Sequence, residues 1–298
     1  MADFDLFVIG GGSGGVACAR RAASYGARVG LCEPGRVGGT CVIRGCIPKK
    51  LMRYGAVFPG HFKAAEGYGW RFDPPRLDWT ALIDARDREI ERLNGVYIGM
   101  LEKAGVELFK AYGRVSGAHE VEVGGERHRA ERILVAVGGK PSLPEQPGIE
   151  HVITSDAALE NLRERPERLV VIGGGYVAVE LACIFHGLGV DTSLLVRREQ
   201  PLRWLDLDVQ QFLTEQMRAY GLDIRGSTPV HHVERAGGRL VVMTATGPIP
   251  ADAVLYATGR VPIPNTRGLG LEAQDVAMNE NGAILVDTAY RSSVPSIY

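Results

Sequence analysis

The sequence predicts an α/β fold of two parallel-sheet units, the second inserted in the first, and three observations predict it. An apolar strand from Leu6 to Ile9 runs into a glycine-rich turn and then an alanine-rich helical pattern reaching about Tyr25. The same order of strand, glycine turn and helix returns from Leu169 to Leu188. Near the end, Ile284 to Asp287 and Ser296 to Tyr298 read as a return to the first sheet. A repeated strand, glycine turn and helix is the pattern of Rossmann-like dinucleotide-binding domains. The expected boundaries are 1–150 for the first part of the first domain, 151–275 for the inserted domain and 276–298 for the return.

Composition narrows the partners. A chain of 298 residues is long enough for two domains with ample core. The formal net charge of -1 and the sequence pI of about 6.7, with no lysine or arginine run, argue against a nucleic-acid partner. No apolar stretch approaches the roughly 18 residues that suggest a membrane span, and the N-terminus lacks a basic region followed by an apolar one, so a cytoplasmic protein is expected. Five cysteines are too few for a disulfide-built scaffold. In a reducing compartment Cys41 and Cys46 read as catalytic, whereas Cys18, Cys32 and Cys183 sit in apolar, periodic surroundings that suit core packing. No side chains are assigned to a metal.

Along the chain, Gly10, Gly12 and Gly15 fit GxGxxG, in which the first glycine makes the tight turn, the second admits a pyrophosphate and the third lets helix pack on strand. Arg28 to Cys32 reads as the next strand, ending in Glu33, an acid placed to accept from ribose hydroxyls. The first nucleotide therefore carries a free ribose diol, which suits the adenosine half of FAD. In the stretch Gly38 to Lys50, Gly38 and Gly39 let the backbone pass close to a large flat ligand. Cys41 and Cys46 follow with four residues between them, so a helix starting there sets them about one turn apart, within reach of a short disulfide ring. A short ring adds little stability and suits a bond that opens and closes. Lys49 and Lys50 then bring positive charge one turn beyond Cys46.

Thr80 to Ala104 has the three-and-four apolar spacing of an amphipathic helix and includes Tyr97. Strand-like pieces follow at Val106 to Phe109, Glu120 to Val123 and Ile133 to Val137, the last leaving through Gly138-Gly139 towards a domain crossing. After a polar connector from Asn161 to Arg168, Gly173, Gly174 and Gly175 with Val177 and Ala178 give GxGxxA, a second nucleotide turn. Here the following strand, Asp191 to Val196, ends in Arg197 and Arg198, with Arg203 beyond, and no acid stands at the ribose position. Guanidinium groups pair a 2′-phosphate that a carboxylate would repel, so the second cofactor reads as NADPH over NADH. Tyr176 and Glu180 share one face of the helix after the glycines. A helix at Leu207 to Tyr220 and strands at Arg239 to Thr244 and Ala253 to Tyr256 complete the insert, which exits through Gly259.

These motifs at these offsets resemble the FAD-dependent pyridine nucleotide-disulfide oxidoreductases of class I, most closely those that reduce glutathione disulfide. The resemblance covers essentially the whole chain. It implies that Cys41 and Cys46 form a redox disulfide, Cys46 contacting the flavin and Cys41 attacking glutathione disulfide. It also implies a lysine beside flavin N5 paired with Glu180, a place the sequence leaves open between Lys49 and Lys50 and for which Lys49 is taken, and a Tyr176 that covers the flavin until nicotinamide displaces it. Ser13, Gly14, Glu33, Gly39, Thr40, the Cys41 backbone, Lys49, Lys50, Gly113 and Gly138 fall to FAD, and Gly173 to Gly175, Val177, Glu180, Arg197, Arg198, Arg203 and Gly259 to NADPH. Ser13, Arg20 and Tyr97 fall to the disulfide substrate. Ile263-Pro264 departs slightly from the family's loop spacing. The family's Gly-Asp flavin contact and its interface domain, with the acid-base histidine, are missing. The chain is therefore read as C-terminally truncated and poorly active alone, the homodimer being a property of the full-length proteins. His61, His119, His186, His231 and His232 match no catalytic position. The alternatives are another disulfide or mercuric reductase of the same family, or a non-catalytic nucleotide-binding fragment.

Overall fold

The structure, a computed structural model, describes residues 2–261 and 265–298, so the loop departure at Ile263-Pro264 lies outside the described residues. In chain order the elements are β1 (Phe4–Ile9), α1 (Ser13–Ser24), β2 (Val29–Cys32), a π-helical turn (Thr40–Arg44), α2 (Cys46–Gly67), α3 (Trp79–Lys103), β3 (Glu107–Phe109), β4 (Gly113–Gly117), β5 (Glu120–Val123) and β6 (Glu126–Val135). Then come β7 (Lys140–Pro141), β8 (Ile153–Thr154), α4 (Ser155–Glu160), β9 (Arg168–Ile172), α5 (Tyr176–Gly187), β10 (Asp191–Leu195), α6 (Leu207–Ala219) and β11 (Asp223–Arg225). The last strands are β12 (Val230–Ala236), β13 (Arg239–Thr244), β14 (Gly247–Ala251), β15 (Ala253–Tyr256) and β16 (Arg260–Val261).

The chain divides into two compact units, one of Met1–Ile43, Glu89–Lys140 and Arg260–Tyr298, the other of Arg44–Arg88 and Pro141–Gly259. This differs from the sequence expectation in two places. The return to the first unit begins at Arg260 and not at 276, and Arg44–Arg88 counts with the second unit. The cause is packing: Met52, Ala56, Trp79 and Ile83 are buried in one cluster with Leu181, Ala182 and Phe185 of α5.

In the first unit six strands run in the order β3-β2-β1-β6-β5-β4. The β3, β2, β1 and β6 neighbours are parallel, while β5 and β4 join antiparallel. Strand β6 serves both parts, its residues from Ala130 to Val135 pairing β1 and those from Glu126 to Arg129 pairing β5. Alternation along β1 sorts the core, since successive side chains leave a strand on opposite faces. Leu6 and Val8 pack with Val16 and Ala19 of α1 and Leu101 of α3, while Phe7 and Ile9 pack with Val121, Ile133 and Ile297; Phe4, at the strand's first position, joins the second cluster against the alternation. The expected return of the chain end is present: Tyr298 N–H donates to Ile133 O at 2.9 Å, and Ile133 N–H donates to Ser296 O at 2.8 Å. Ile284 to Asp287, expected to return to the same sheet, instead pairs locally, through a bridge between Ile284 and Met278 and Leu285 N–H donating to Ala277 O at 2.9 Å.

The second unit has a five-stranded parallel sheet in the order β11-β10-β9-β15-β8. Its two faces are again sorted by period two. Leu169 and Val171 of β9 meet α5, whereas Val170 and Ile172 meet the antiparallel sheet β12-β13-β14. Helices α2 and α5 approach closely because Gly187 lies over Ala56: a Cβ placed on Gly187 would sit 2.6 Å from the Ala56 carbonyl oxygen.

That contact gives a stability test. Gly187→Ala must push the helices apart and is expected to lower unfolding stability in urea by about 1–3 kcal/mol. Gly99→Ala, in α3 with nothing near its missing side chain, is expected to raise it by about 0.5–1 kcal/mol. An unchanged Gly187→Ala would contradict the crossing.

Candidate functional site

In the first unit the glycine turn connects β1 to α1. A Cβ on Gly15 would lie 1.9 Å from the Gly10 carbonyl oxygen, so the third glycine is required for helix to meet strand. Helix α1 begins after Gly12 with no side-chain cap and no acid in its first turn. Its first N–H groups are thus available to an anion. Gly14 has open space where a side chain would be, and Gly39, at φ +58°, would bring a Cβ within 2.6 Å of Gly12 Cα. The two glycine segments therefore meet backbone against backbone, a cradle that a pyrophosphate and a flat ring system fit.

Glu33 stands at the end of β2 as expected. Its Oε2 accepts from Gly11 N–H at 2.8 Å and its Oε1 from Gly35 N–H at 2.9 Å. A carboxylate has about four acceptor positions, so capacity for a ribose diol remains. Gly113 has a packing reason of its own, because a Cβ there would lie 2.4 Å from Cys32 Sγ. Gly138 is an exposed glycine at φ +67°, beside the exit of β6. Ser13, Ala17 and Arg20 are all exposed on α1 at helical spacing. Tyr97 packs against the small cluster of Ile90 with Val42 and Ile43, the two residues that follow Cys41 in the chain.

The dithiol stretch differs from the helical start expected for it. Thr40–Arg44 is a π-helical turn, Gly45 breaks it at φ −142° and ψ −108°, and α2 starts at Cys46. Cys41 is half-buried and Cys46 exposed. Cys46 occupies the first turn of a 22-residue helix, where unpaired N–H groups favour negative charge. The two lysines behave differently. Lys49 Nζ is bound to both carboxylate oxygens of Glu180, at 2.8 and 2.9 Å. Lys50 Nζ instead lies 5.7 Å from the Tyr54 ring centroid.

Glu180 belongs to α5, which opens after Gly175 without a side-chain cap or an acid in its first turn. Tyr176, its first residue, is 61% exposed. In the preceding turn Gly173 is at φ +148°, and a Cβ there would meet the Ala257 carbonyl oxygen at 2.4 Å. Gly259, at φ +146°, has open space around it. The loop after β10 is pinned by Leu202 N–H to Gly174 O at 2.7 Å and by Ser227 N–H to Arg198 O at 2.8 Å. Arg197, Arg198 and Arg203 on that loop are exposed, and among the described residues none of the three enters an ion pair. Three guanidinium groups without a carboxylate partner suit a dianionic phosphate.

Sequence reasoning missed two polar contacts that shape the first unit. Arg260 Nη2 donates to Gly139 O at 2.7 Å and to Thr40 Oγ1 at 3.2 Å, tying the turn that holds Cys41 to the exit of β6. Buried Asn94 donates to Val37 O at 2.7 Å, just before Gly38. An asparagine inside the apolar stripe of a helix was the available signal for the second; no local pattern marks the first.

The fold and these turns define a two-nucleotide disulfide oxidoreductase scaffold. Residues 4–298 match the family described as pyridine nucleotide-disulphide oxidoreductase, and the chain belongs to that family. It is 47% identical over 297 residues to a glutathione reductase of Burkholderia cepacia, covering 99% of this chain and 66% of that protein. It is 42% identical over 309 residues to a glutathione reductase of Nostoc sp., covering 99% of this chain and 67% of the relative. A chloroplastic/mitochondrial glutathione reductase of Pisum sativum is also 42% identical, with 55% of its length covered. The chain thus spans about two thirds or less of these curated relatives. Among the described residues no helix is long and apolar enough to cross a membrane.

The remaining cysteines have a different chemistry. Burial pushes the Cys32 thiol up to about 12, and burial also raises Cys18 and Cys183, the latter offset in part by Arg53. At pH 8 these thiols are held in the unreactive protonated form. Brief iodoacetamide treatment of the reduced protein, read by peptide mass spectrometry, is expected to label Cys46 first and leave Cys32 unlabelled. Labelling of Cys32 at the rate of Cys46 would refute the burial argument.

Proposed function

We propose that this protein is part of an NADPH-dependent glutathione-disulfide reductase that works through FAD and a Cys41–Cys46 redox disulfide. The observation that carries the reading is the bidentate Lys49–Glu180 pair. It fastens the helix opened by Cys46 to the helix that follows the second glycine turn, so a nucleotide end and a redox thiol share one framework. The similar proteins, glutathione reductases, suggest the substrate, glutathione disulfide.

Gly10, Gly12, Ser13, Gly14, Gly15, Glu33, Gly39 and Thr40 would hold FAD, which supplies a two-electron relay between nicotinamide and dithiol. Gly173 to Gly175 and Val177 would hold the NADPH pyrophosphate at the start of α5, and Arg197, Arg198 and Arg203 its 2′-phosphate. Tyr176, exposed at the first turn of α5, would screen the flavin side from water. Lys49 keeps a fixed positive charge there, oriented by Glu180. In the reduced protein Cys41 attacks one sulfur of glutathione disulfide, forming a mixed disulfide and releasing one glutathione thiolate. Cys46 then attacks the Cys41 sulfur, releasing the second glutathione and re-forming the Cys41–Cys46 bond. Ser13, Arg20 and Tyr97 would position the substrate. The whole protein is proposed to act in the cytoplasm as a homodimer.

The test is thiol counting. FAD-reconstituted, oxidised protein treated anaerobically with NADPH is expected to gain a pair of alkylatable thiols at Cys41 and Cys46, and glutathione disulfide is expected to consume them. Arg197→Glu with Arg203→Leu is expected to weaken NADPH binding by several kcal/mol at most, charge-assisted contacts being worth about 1.5–3 kcal/mol each, with NADH little changed. No new thiols with NADPH would refute the reading, and equal losses for both nucleotides would refute the arginine assignment.

A further inference from the structure

Apart from the nucleotide turns and the dithiol, the second unit holds a cavity of about 790 Å³. Its size lies within the roughly 300–1,000 Å³ typical of small-molecule sites. One wall is the end of α2, where Phe58 and Phe62 stack with ring centroids 6.0 Å apart. The facing wall is the end of α5 with Tyr220, where His186 meets the Tyr220 ring edge-on at 5.4 Å and its Nε2 lies 3.2 Å from Tyr220 O. Leu77 and Leu188 add aliphatic surface, and Gly187 and Gly189 leave the wall between them without side chains. Phe58 is 53% exposed and Tyr220 55%, so aromatic surface around one hollow is left to solvent. A contiguous patch of that kind marks a binding site more often than a lone exposed residue does.

The charged side chains in the same lining are three cations and one acid, a positive excess. Lys63, Arg76 and Arg165 line it, and among the described residues none of them is in an ion pair. The acid in the lining, Asp78, is already used: its Oδ1 accepts from Ala81 N–H at 2.9 Å at the start of α3. Aromatic walls beside three cations that outnumber the one acid complement one chemistry. We infer that this cavity binds an amphipathic organic anion, an apolar ring system or chain bearing one carboxylate or sulfonate. The apolar part lies between the Phe58–Phe62 wall and the Tyr220 wall, and the anionic group meets Lys63, Arg76 and Arg165. None of these residues belongs to the nucleotide turns or the dithiol, so the inference stands or falls apart from the proposed reaction.

The experiment is a fluorescence titration of the whole chain with 8-anilinonaphthalene-1-sulfonate, with FAD and NADP⁺ present in excess to fill the nucleotide turns. The control probe is N-phenyl-1-naphthylamine, which has the same rings and no sulfonate. Saturable binding of the sulfonate at one site per chain is expected, tighter than the neutral probe. Lys63→Ala/Arg76→Ala/Arg165→Ala is expected to weaken the sulfonate by about tenfold or more, as loss of charge-assisted contacts requires, while changing the neutral probe by less than about twofold. Leu77→Glu, at an exposed position, tests the same site should the triple variant not fold, and is expected to weaken the sulfonate likewise. Unchanged sulfonate affinity in either folded variant, equal affinity for the two probes, or uptake without saturation would overturn the inference. Loss of binding as the chain self-associates would also overturn it, making a second copy the occupant.

Discussion

The Lys49–Glu180 ion pair is the contact on which the functional reading of the second unit depends. Its partners are 131 residues apart in sequence and partly exposed, so by the usual scale of such pairs it contributes at most about 1 kcal/mol to stability. Its value is positional. Apolar packing of Met52, Ala56, Ile83 and Phe185 holds α2 on α5, and Gly187 lets the helices come close enough for lysine to reach glutamate. The ion pair then selects Lys49 over Lys50, whose ammonium lies by Tyr54, and fixes one charge between the helix of Cys46 and the helix of Tyr176. Substituting lysine by arginine there would change reach and shape together, since a guanidinium fork does not replace a compact ammonium.

Much of the fold was legible because the signals were local. Both glycine turns, the alternating apolar residues of β1 and β9, and the stripe of α3 follow from backbone sterics and periodicity within a few residues. β13 and β15 lie at the predicted bounds. The features that were not legible depended on distant partners. α2 carries Gly55, Pro59 and Gly60, each unfavourable in a helix, and persists through its buried face on α5. β14 contains Pro248 and Pro250, which argue against a strand, yet it pairs only with β13 at the edge of its sheet, where a missing N–H is tolerated. The assignment of Arg44–Arg88 to the second unit has no local signature, because it is decided by the core those residues enter.

The candidate site shows the same division. That Glu33, Arg197 and Arg198 stand just past a strand end could be read from their offsets after the glycine turns, because the geometry of strand, turn and helix fixes where the next strand ends. The choice between Lys49 and Lys50 could not, since adjacent helical residues point about 100° apart and only the facing helix decides which is used. Arg260 is a further case: its contacts to Thr40 and Gly139 join segments far apart in sequence. Gly113 illustrates the converse, a glycine whose buried neighbour, Cys32, accounts for it without a ligand.

The proposed reaction requires that NADPH bound at the second glycine turn reduce the flavin, with Lys49 assisting. The most direct measurement is stopped-flow bleaching of flavin absorbance by NADPH in FAD-reconstituted protein and in Lys49→Met, with NADPH affinity measured separately. The account predicts bleaching in the unaltered protein and, in Lys49→Met, a rate lower by about tenfold or more, the scale of one lost electrostatic contact in a reacting site. NADPH affinity is expected to change less than about twofold, because Lys49 is not among the phosphate ligands. A flavin that NADPH does not bleach, or one bleached equally fast in both proteins, would contradict it.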